Sequence, residues 1–188
     1  MKIAGTAQLP FPPEKAYDLM QDPAMLALAI PGCNSLEKTG ENEYKLGLKM
    51  VLASLSGQFE GKVVLTEPNR PYSFKMLVEG TGKIGFVKGE GVIQLSGLGD
   101  GLSITSAITA TGIEFAGEAQ IGGSIASVGQ RMIDTTSKLM VKQFFKKLEK
   151  LGLGDGVEKA GEAAAEQMGS GAGKTGEKPG ENPEKWGK

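Results

Sequence analysis

The hydrophobic period of this chain changes from that of strands to that of a helix, and the change bounds its fold. From Cys33 to about Ile121 apolar residues recur at every second position, whereas in GSIASVGQRMIDTTSKLMVKQFFKKLEK, Gly123 to Lys150, they recur at helical spacing. Within the first part Tyr44, Leu46, Leu48, Met50 and Leu52 share one face. Phe59, Gly61, Val63 and Leu65 share a face in the next run, and Tyr72, Phe74, Met76 and Val78 in the one after. Lysines and glutamates fill many alternate positions, so each strand keeps one wet face, the pattern of an antiparallel sheet with a single buried side. Turns are expected at Gly40 to Asn42, Pro68 to Pro71 and Gly97 to Gly101. A sheet of this kind followed by a long helix buries its apolar side by laying the helix across it.

Ahead of the sheet, Met1 to Leu9 alternates weakly and meets Pro10, which reads as a short strand ended by a breaker. Pro12 and Pro13 open a helix, PEKAYDLMQD, and DPAMLALAI makes a second, capped by Asp22 and stopped before Pro31. The long helix is expected to start at Ser124, with Ile125, Val128, Gly129, Met132, Thr136, Leu139 and Met140 on its buried face. After Met140 the stripe breaks up, since Gln143, Lys146, Lys147 and Lys150 fall on or near that face and Phe144 and Phe145 are adjacent. The helix end therefore reads as basic and projecting. Two interpretations stay open: an exposed end with one Phe on the sheet rim, or a docking patch of Lys138, Lys142, Phe145, Lys146 and Lys147 for an anionic membrane surface or a partner protein.

Residue types exclude several functions. Histidine is absent from the 188 residues, which removes Ser-His-Asp and Cys-His nucleophile pairs and His-ligated zinc or iron. No pair of Asp or Glu is singled out by spacing, so no catalytic residue, metal site or cofactor is expected, and the chain does not read as an enzyme. A formal net charge of -1 gives no global field for nucleic acid. The lone Cys33 fits a reducing compartment and reads as a small residue in a turn rather than a reactive thiol. MKIAGTAQLPFPPEK carries no apolar run of signal-peptide length, and nothing approaches the roughly 20 apolar residues of a membrane span. A cytoplasmic location is expected, at most peripheral to the inner face of the cell membrane. Composition divides the chain into a domain over 1–152 and a disordered Gly/Glu/Lys/Ala-rich tail over 153–188.

Two glycine motifs imitate nucleotide sites. GTGKIG, Gly80 to Gly85, lies among strands and opens no helix, and GAGKT, Gly171 to Thr175, lies in the polar tail with no strand before it. Glycines 80, 82, 85, 89 and 91 read instead as positions where a strongly bent sheet needs small residues.

IPGCNSL (Ile30 to Leu36), GTGKIGFVKGEGVIQL, and GEAQIGGSIASVGQRMI followed by KQFFKKL together resemble the CoxG family of carbon monoxide dehydrogenase components over residues 1 to 150. The resemblance implies an α+β helix-grip fold of the START/Bet v 1-like (SRPBCC) superfamily: a curved antiparallel sheet of about seven strands around a long C-terminal helix, with two short helices after the first strand. One stretch departs from the family. LSITSAITATGIEFAGEAQI is longer than a single strand, and its inward parity is even for Leu102, Ile104 and Ile108 but odd for Ile113, Phe115, Ala119 and Ile121. A bulge or turn at Thr111–Gly112 would produce that flip.

In such a fold the helix and sheet enclose a tapering cavity, and small residues on the helix face, Gly129 and Thr136, would leave volume in it. Met20, Met25, Leu28, Leu48, Phe59, Phe74, Met76, Met132 and Met140 would line the space, methionine suiting irregular guests. Burying about 300 Å² of an apolar ligand contributes roughly 7 kcal/mol before ordering costs. The alternative is a solid core in which bulky neighbours fill the gaps. The resemblance implies a non-catalytic accessory protein of a molybdenum hydroxylase of the carbon monoxide dehydrogenase type, holding an apolar small molecule (quinone or lipid) and helping couple or recruit the enzyme to the membrane. Competing functions are a ligand-free recruitment or assembly adaptor acting through the basic helix end and tail, and a cyclase-like enzyme.

Overall fold

The computed structural model describes residues 1–52, 55–99 and 109–154. Strand β1 (Lys2–Leu9) ends at Pro10, and helix α1 (Pro13–Leu19) takes Pro13 into its first turn. Helix α2 (Pro23–Ala29) is capped as its sequence requires: the Asp22 carboxylate accepts the N–H groups of Ala24 at 2.8 Å and Met25 at 3.4 Å. Strands β2 (Cys33–Lys38), β3 (Glu43–Leu52), β4 (Leu55–Asn69), β5 (Ser73–Gly82), β6 (Gly85–Leu98) and β7 (Ala110–Gly122) follow, then a 3-10 helix (Ser124–Val128) and helix α3 (Gln130–Leu153). Among the described residues the seven strands form one antiparallel sheet in the order β1-β7-β6-β5-β4-β3-β2. This is the expected architecture, an α+β sheet with two short helices after its first strand and a long helix at the end. GTGKIG spans a tight hairpin in which Gly82 pairs with Gly85, so no helix opens there.

The long helix differs from expectation in three ways. It starts at Gln130, not Ser124, because Gly123 (φ 83°) and Gly129 (φ 89°) adopt left-handed backbone conformations that interrupt it. Gly129 is thus the cap of α3, exposed and with open space where a Cβ would stand, rather than a gap on a buried face. The buried face is also rotated by about one residue: Ile133 and Leu148 are buried and Ser137, Met140, Val141, Phe144 and Leu151 half-buried, while Met132 is 43% and Leu139 54% exposed. The heavy apolar side chains of the second half decide the rotation, outweighing the methionine and leucine near the start. Finally, the helix end does not project. Leu148 is fully buried, and Gly152 lies so close to the Phe11 ring and Leu19 that a Cβ there would collide with Phe11. Phe144 and Phe145 are both half-buried against the core, Phe145 stacking on Phe115 with centroids 5.8 Å apart.

β7 also departs from what its spacing suggests. Its pairing runs unbroken with β6 from Ala110 and with β1 from Thr111, so no bulge sits at Thr111–Gly112, and Thr111, Ile113, Phe115, Ala119 and Ile121 face the helix side throughout. Leu102, Ile104 and Ile108, with the even parity, lie outside the described residues, as do Gly171 to Thr175 and the tail from residue 155 onward.

Thr111 is fully buried, and its hydroxyl donates to the Phe11 carbonyl at 2.6 Å, tying β7 to the segment that enters α1. Thr111→Val keeps the shape but removes the donor, and is expected to lower stability by about 1–2 kcal/mol, read as a shift of the urea midpoint at unchanged slope.

Candidate functional site

The core is divided. One buried cluster joins Leu9, Phe11, Tyr17, Met20, Tyr44, Leu65, Phe74, Ile93, Leu95, Ile113 and Leu148 beneath α1 and the second half of α3. A second, smaller one joins Phe59, Ile125 and Ile133 at the other end of the helix. The inner face of the sheet carries three successive cross-strand rows that are rich in small residues and that reach into both clusters, Tyr44 and Leu65 belonging to the larger one. The rows read Gly117–Gly91–Met76–Leu65, then Ala119–Gly89–Val78–Val63–Tyr44, then Ile121–Val87–Gly80–Gly61–Leu46. Most of these side chains are half-buried rather than buried, so the middle of the inner face is a shallow apolar trough.

The glycines of the trough fall into two kinds. At Gly61 and Gly89 a Cβ would approach neighbouring carbonyl oxygens, Glu79 O at 2.7 Å and Glu118 O at 2.9 Å, and at Gly82 and Gly117 it would collide with those of Gln58 and Glu90. There the sheet coils too tightly for any side chain. Gly80 and Gly91 are different: the nearest atoms to a Cβ are backbone oxygens at 3.9 Å and 3.4 Å, ordinary contacts. Strand curvature does not require glycine at those two positions, and their lack of side chains leaves volume over the sheet.

The residues expected to line a cavity scatter around this trough. Leu48, Met76 and Met140 are half-buried on the faces that meet there, and Thr136 is half-buried on α3. Met20 and Phe74 are buried in the larger cluster and Phe59 in the smaller one, so each forms an end wall rather than a floor. Met25 is half-buried on α2, while Leu28 is 38% exposed. Leu28, Gly129 and Met132 are corrections: the first sits on the outward side of a short helix, the second is a backbone cap, and the third is turned outward by the rotation of α3. The trough glycines on β4 to β7 are the residues that a list of large apolar side chains overlooks; the signal was their shared parity with the inward residues. Two wide clefts, about 490 and 960 Å³, lie instead on the outer face of the sheet among Glu43, Lys45, Glu60, Lys62 and Lys83, a charged surface unsuited to an apolar guest.

Polar groups meet the trough at one end. The Tyr44 hydroxyl, at the β3 end of the middle row, donates to the Gln21 main-chain carbonyl at 3.1 Å, and burial pushes its pKa above the usual tyrosine value. The Gln21 side-chain nitrogen is buried and has no hydrogen-bond partner among the described residues. Cys33 opens β2 rather than sitting in a turn; burial raises its thiol pKa, against opposing effects of the Ser35 backbone and Lys147, which disfavours thiolate chemistry. Among the described residues no group of three or more Asp, Glu, Cys or His is placed to hold a metal ion, and no helix is long and apolar enough to cross a membrane.

On the docking set, Lys138, Lys142, Lys146 and Lys147 are exposed on α3 as expected. Phe145 is not available with them, because its ring is committed to Phe115.

A family model for CoxG, the G component of carbon monoxide dehydrogenase, matches residues 5–151, which is nearly all of the described fold. The chain belongs to the CoxG family. A conserved protein from Geobacillus kaustophilus is a near structural relative of this CoxG chain, 34% identical with a TM-score of 0.74 over 81% of this chain and 95% of that one. At the level of fold alone, the CoxG chain resembles a START superfamily protein from Mycobacterium smegmatis (12% identity, TM-score 0.57, 79% and 94% covered). It likewise resembles a norcoclaurine synthase point mutant from Thalictrum (14% identity, TM-score 0.55, 82% and 95% covered). These likenesses place the CoxG chain in the START/Bet v 1-like fold. No curated protein matches it.

Proposed function

We propose that this protein is a non-catalytic accessory protein of a molybdenum carbon monoxide dehydrogenase-type oxidoreductase, holding an apolar small molecule, a quinone or lipid, between the sheet and α3. The observation that carries the ligand reading is the half-buried run of small residues on the inner face, with Gly80 and Gly91 bare although their backbone has room for a side chain. The family name supports the choice of partner. The absence of histidine supports a carrier over a hydrolase. Titration with cis-parinaric acid, a fluorescent apolar probe, tests the reading: saturable uptake near one probe per chain is expected, and a linear, unsaturable response contradicts it.

The exposed flank of α3 is the docking surface in this proposal. It presents Arg131, Lys138, Lys142, Lys146, Lys147 and Lys150, whereas the acidic residues of the helix, Asp134 and Glu149, are half-buried. Such a basic stripe is attracted to an anionic membrane surface by about 1 kcal/mol per residue close to it, and screened by salt. Replacing Lys142, Lys146 and Lys147 together with Glu should reduce co-sedimentation with phosphatidylglycerol vesicles by about tenfold or more at low salt. Unchanged recovery removes this flank from the proposal.

A further inference from the structure

One end of the fold exposes large apolar side chains from three separate elements. Because the sheet is antiparallel, β3 ends and β4 begins, β5 ends and β6 begins, and β7 gives way to α3 all at that same end. Val51 near the end of β3 is 65% exposed, Phe86 at the start of β6 40%, and Met132 in the first turn of α3 43%. These pieces are packed together. A Cβ on Gly57 of β4 would stand 2.9 Å from the Ile84 side chain, and the Ile84 carbonyl accepts the Ile125 N–H of the 3-10 helix at 2.8 Å. Half-buried Met50, Ile84 and Val128 lie among them, packed on the cluster of Phe59, Ile125 and Ile133. Exposed apolar residues scattered singly need no explanation, whereas three gathered at the tips of one end form a patch with a use.

Cations accompany the patch. Lys49 on β3, Lys83 between β5 and β6 and Arg131 on α3 are exposed, and among the described residues none of the three is in an ion pair. Asp134, one turn along α3, is half-buried and accepts from the Gln130 side chain at 2.9 Å. The opposite end is unlike this one: Tyr72 is exposed there beside charges that neutralise each other, Arg70 with Asp18 at 2.7 Å and Lys75 with Glu67 at 2.7 Å. We infer that the end bearing Val51, Phe86 and Met132 is a lipid-contacting surface, on which these side chains enter the acyl layer of an anionic bilayer while Lys49, Lys83 and Arg131 meet its phosphates. Charge complementarity selects that partner, since unpaired cations around an apolar patch match a surface whose outer layer is anionic and whose next layer is hydrocarbon. The surface shares only Arg131 with the basic flank of α3, and it adds penetration to the electrostatic attraction proposed there.

Tryptophan reporters test the assignment. Phe86→Trp, Met132→Trp and, at the opposite end, Tyr72→Trp are each made in the full chain with Trp186, its single native tryptophan, changed to Phe. Each is titrated with phosphatidylglycerol vesicles whose acyl chains carry bromine, a short-range quencher of tryptophan fluorescence. Quenching of about twofold with a blue shift is expected at positions 86 and 132 and none at 72, because only the first two reach the acyl layer. Lys49→Glu combined with Lys83→Glu should lower vesicle affinity by about tenfold at low salt with an unchanged circular dichroism spectrum. Vesicle binding without quenching at 86 and 132, equal quenching at all three positions, or unchanged affinity of the charge-reversed protein overturns the assignment of this end and leaves the α3 flank standing as a docking surface. Failure of the full chain to associate with the vesicles overturns this inference and the membrane docking of α3 together.

Discussion

Leu148→Ala should cost the domain about 3–4 kcal/mol, a large part of the stability of a domain this size and about 10 °C in Tm. Leu148 is fully buried in the larger cluster, one turn before Gly152, where the helix backbone lies against Phe11. Truncation removes transfer free energy and opens a hole that neither side can close. Above it the α3 backbone is held by Gly152, and below it Phe11, Leu9 and Ile113 belong to the same packed cluster. Gly152→Val tests the same joint from the other direction, since its first carbon already collides with the Phe11 ring. Chemical denaturation of Leu148→Ala should show a lower midpoint with an unchanged slope. A loss below about 1 kcal/mol would mean that the end of α3 is not anchored as described.

The second large effect concerns binding rather than stability. Gly80→Leu and Gly91→Leu together should abolish uptake of an apolar probe, a drop of at least tenfold in affinity, while changing stability by no more than about 1 kcal/mol. Both Cβ positions are free of clash, so the added side chains extend over the inner face and occupy the volume that a guest would take. Gly61→Leu and Gly117→Leu make the contrast: their Cβ atoms run into Glu79 O and Glu90 O, so these changes should disrupt the sheet itself. Probe titration with circular dichroism on all three variants separates the outcomes. Retained uptake in a folded Gly80→Leu/Gly91→Leu protein would mean that the guest sits elsewhere. Gly129→Leu, by contrast, strains a residue at φ 89° and fills nothing.

The sheet was legible because period-two patterning is strict where one face is wet: Tyr44, Leu46 and Leu48, and Phe74, Met76 and Val78, fall on the inner face as their spacing requires. The two short helices were legible from Pro13, Asp22 and Pro31, whose effects are local. The long helix was readable only in type. Its start depended on Gly123 and Gly129, which look like neutral members of an apolar face until their φ angles are known. Its rotation depended on which bulky residues found cavities in the sheet, a tertiary matter that put Phe145 on Phe115 and left Met132 in water. The trough was half legible. Glycines 80, 82, 85, 89 and 91 read as bending points from their spacing, but the distinction between Gly89, which the curl demands, and Gly80, which it does not, needs the distance from each Cβ position to the next strand.

The central claim, that the trough carries an apolar molecule, is tested most directly by mass spectrometry of what the folded protein retains. The full chain is incubated with a total membrane-lipid extract, separated from unbound lipid, extracted with organic solvent and analysed beside the Gly80→Leu/Gly91→Leu variant. One apolar, oxygen-bearing molecule per wild-type chain, absent from the variant, is the result expected here. An empty wild-type protein, or an equal load in both, would contradict it.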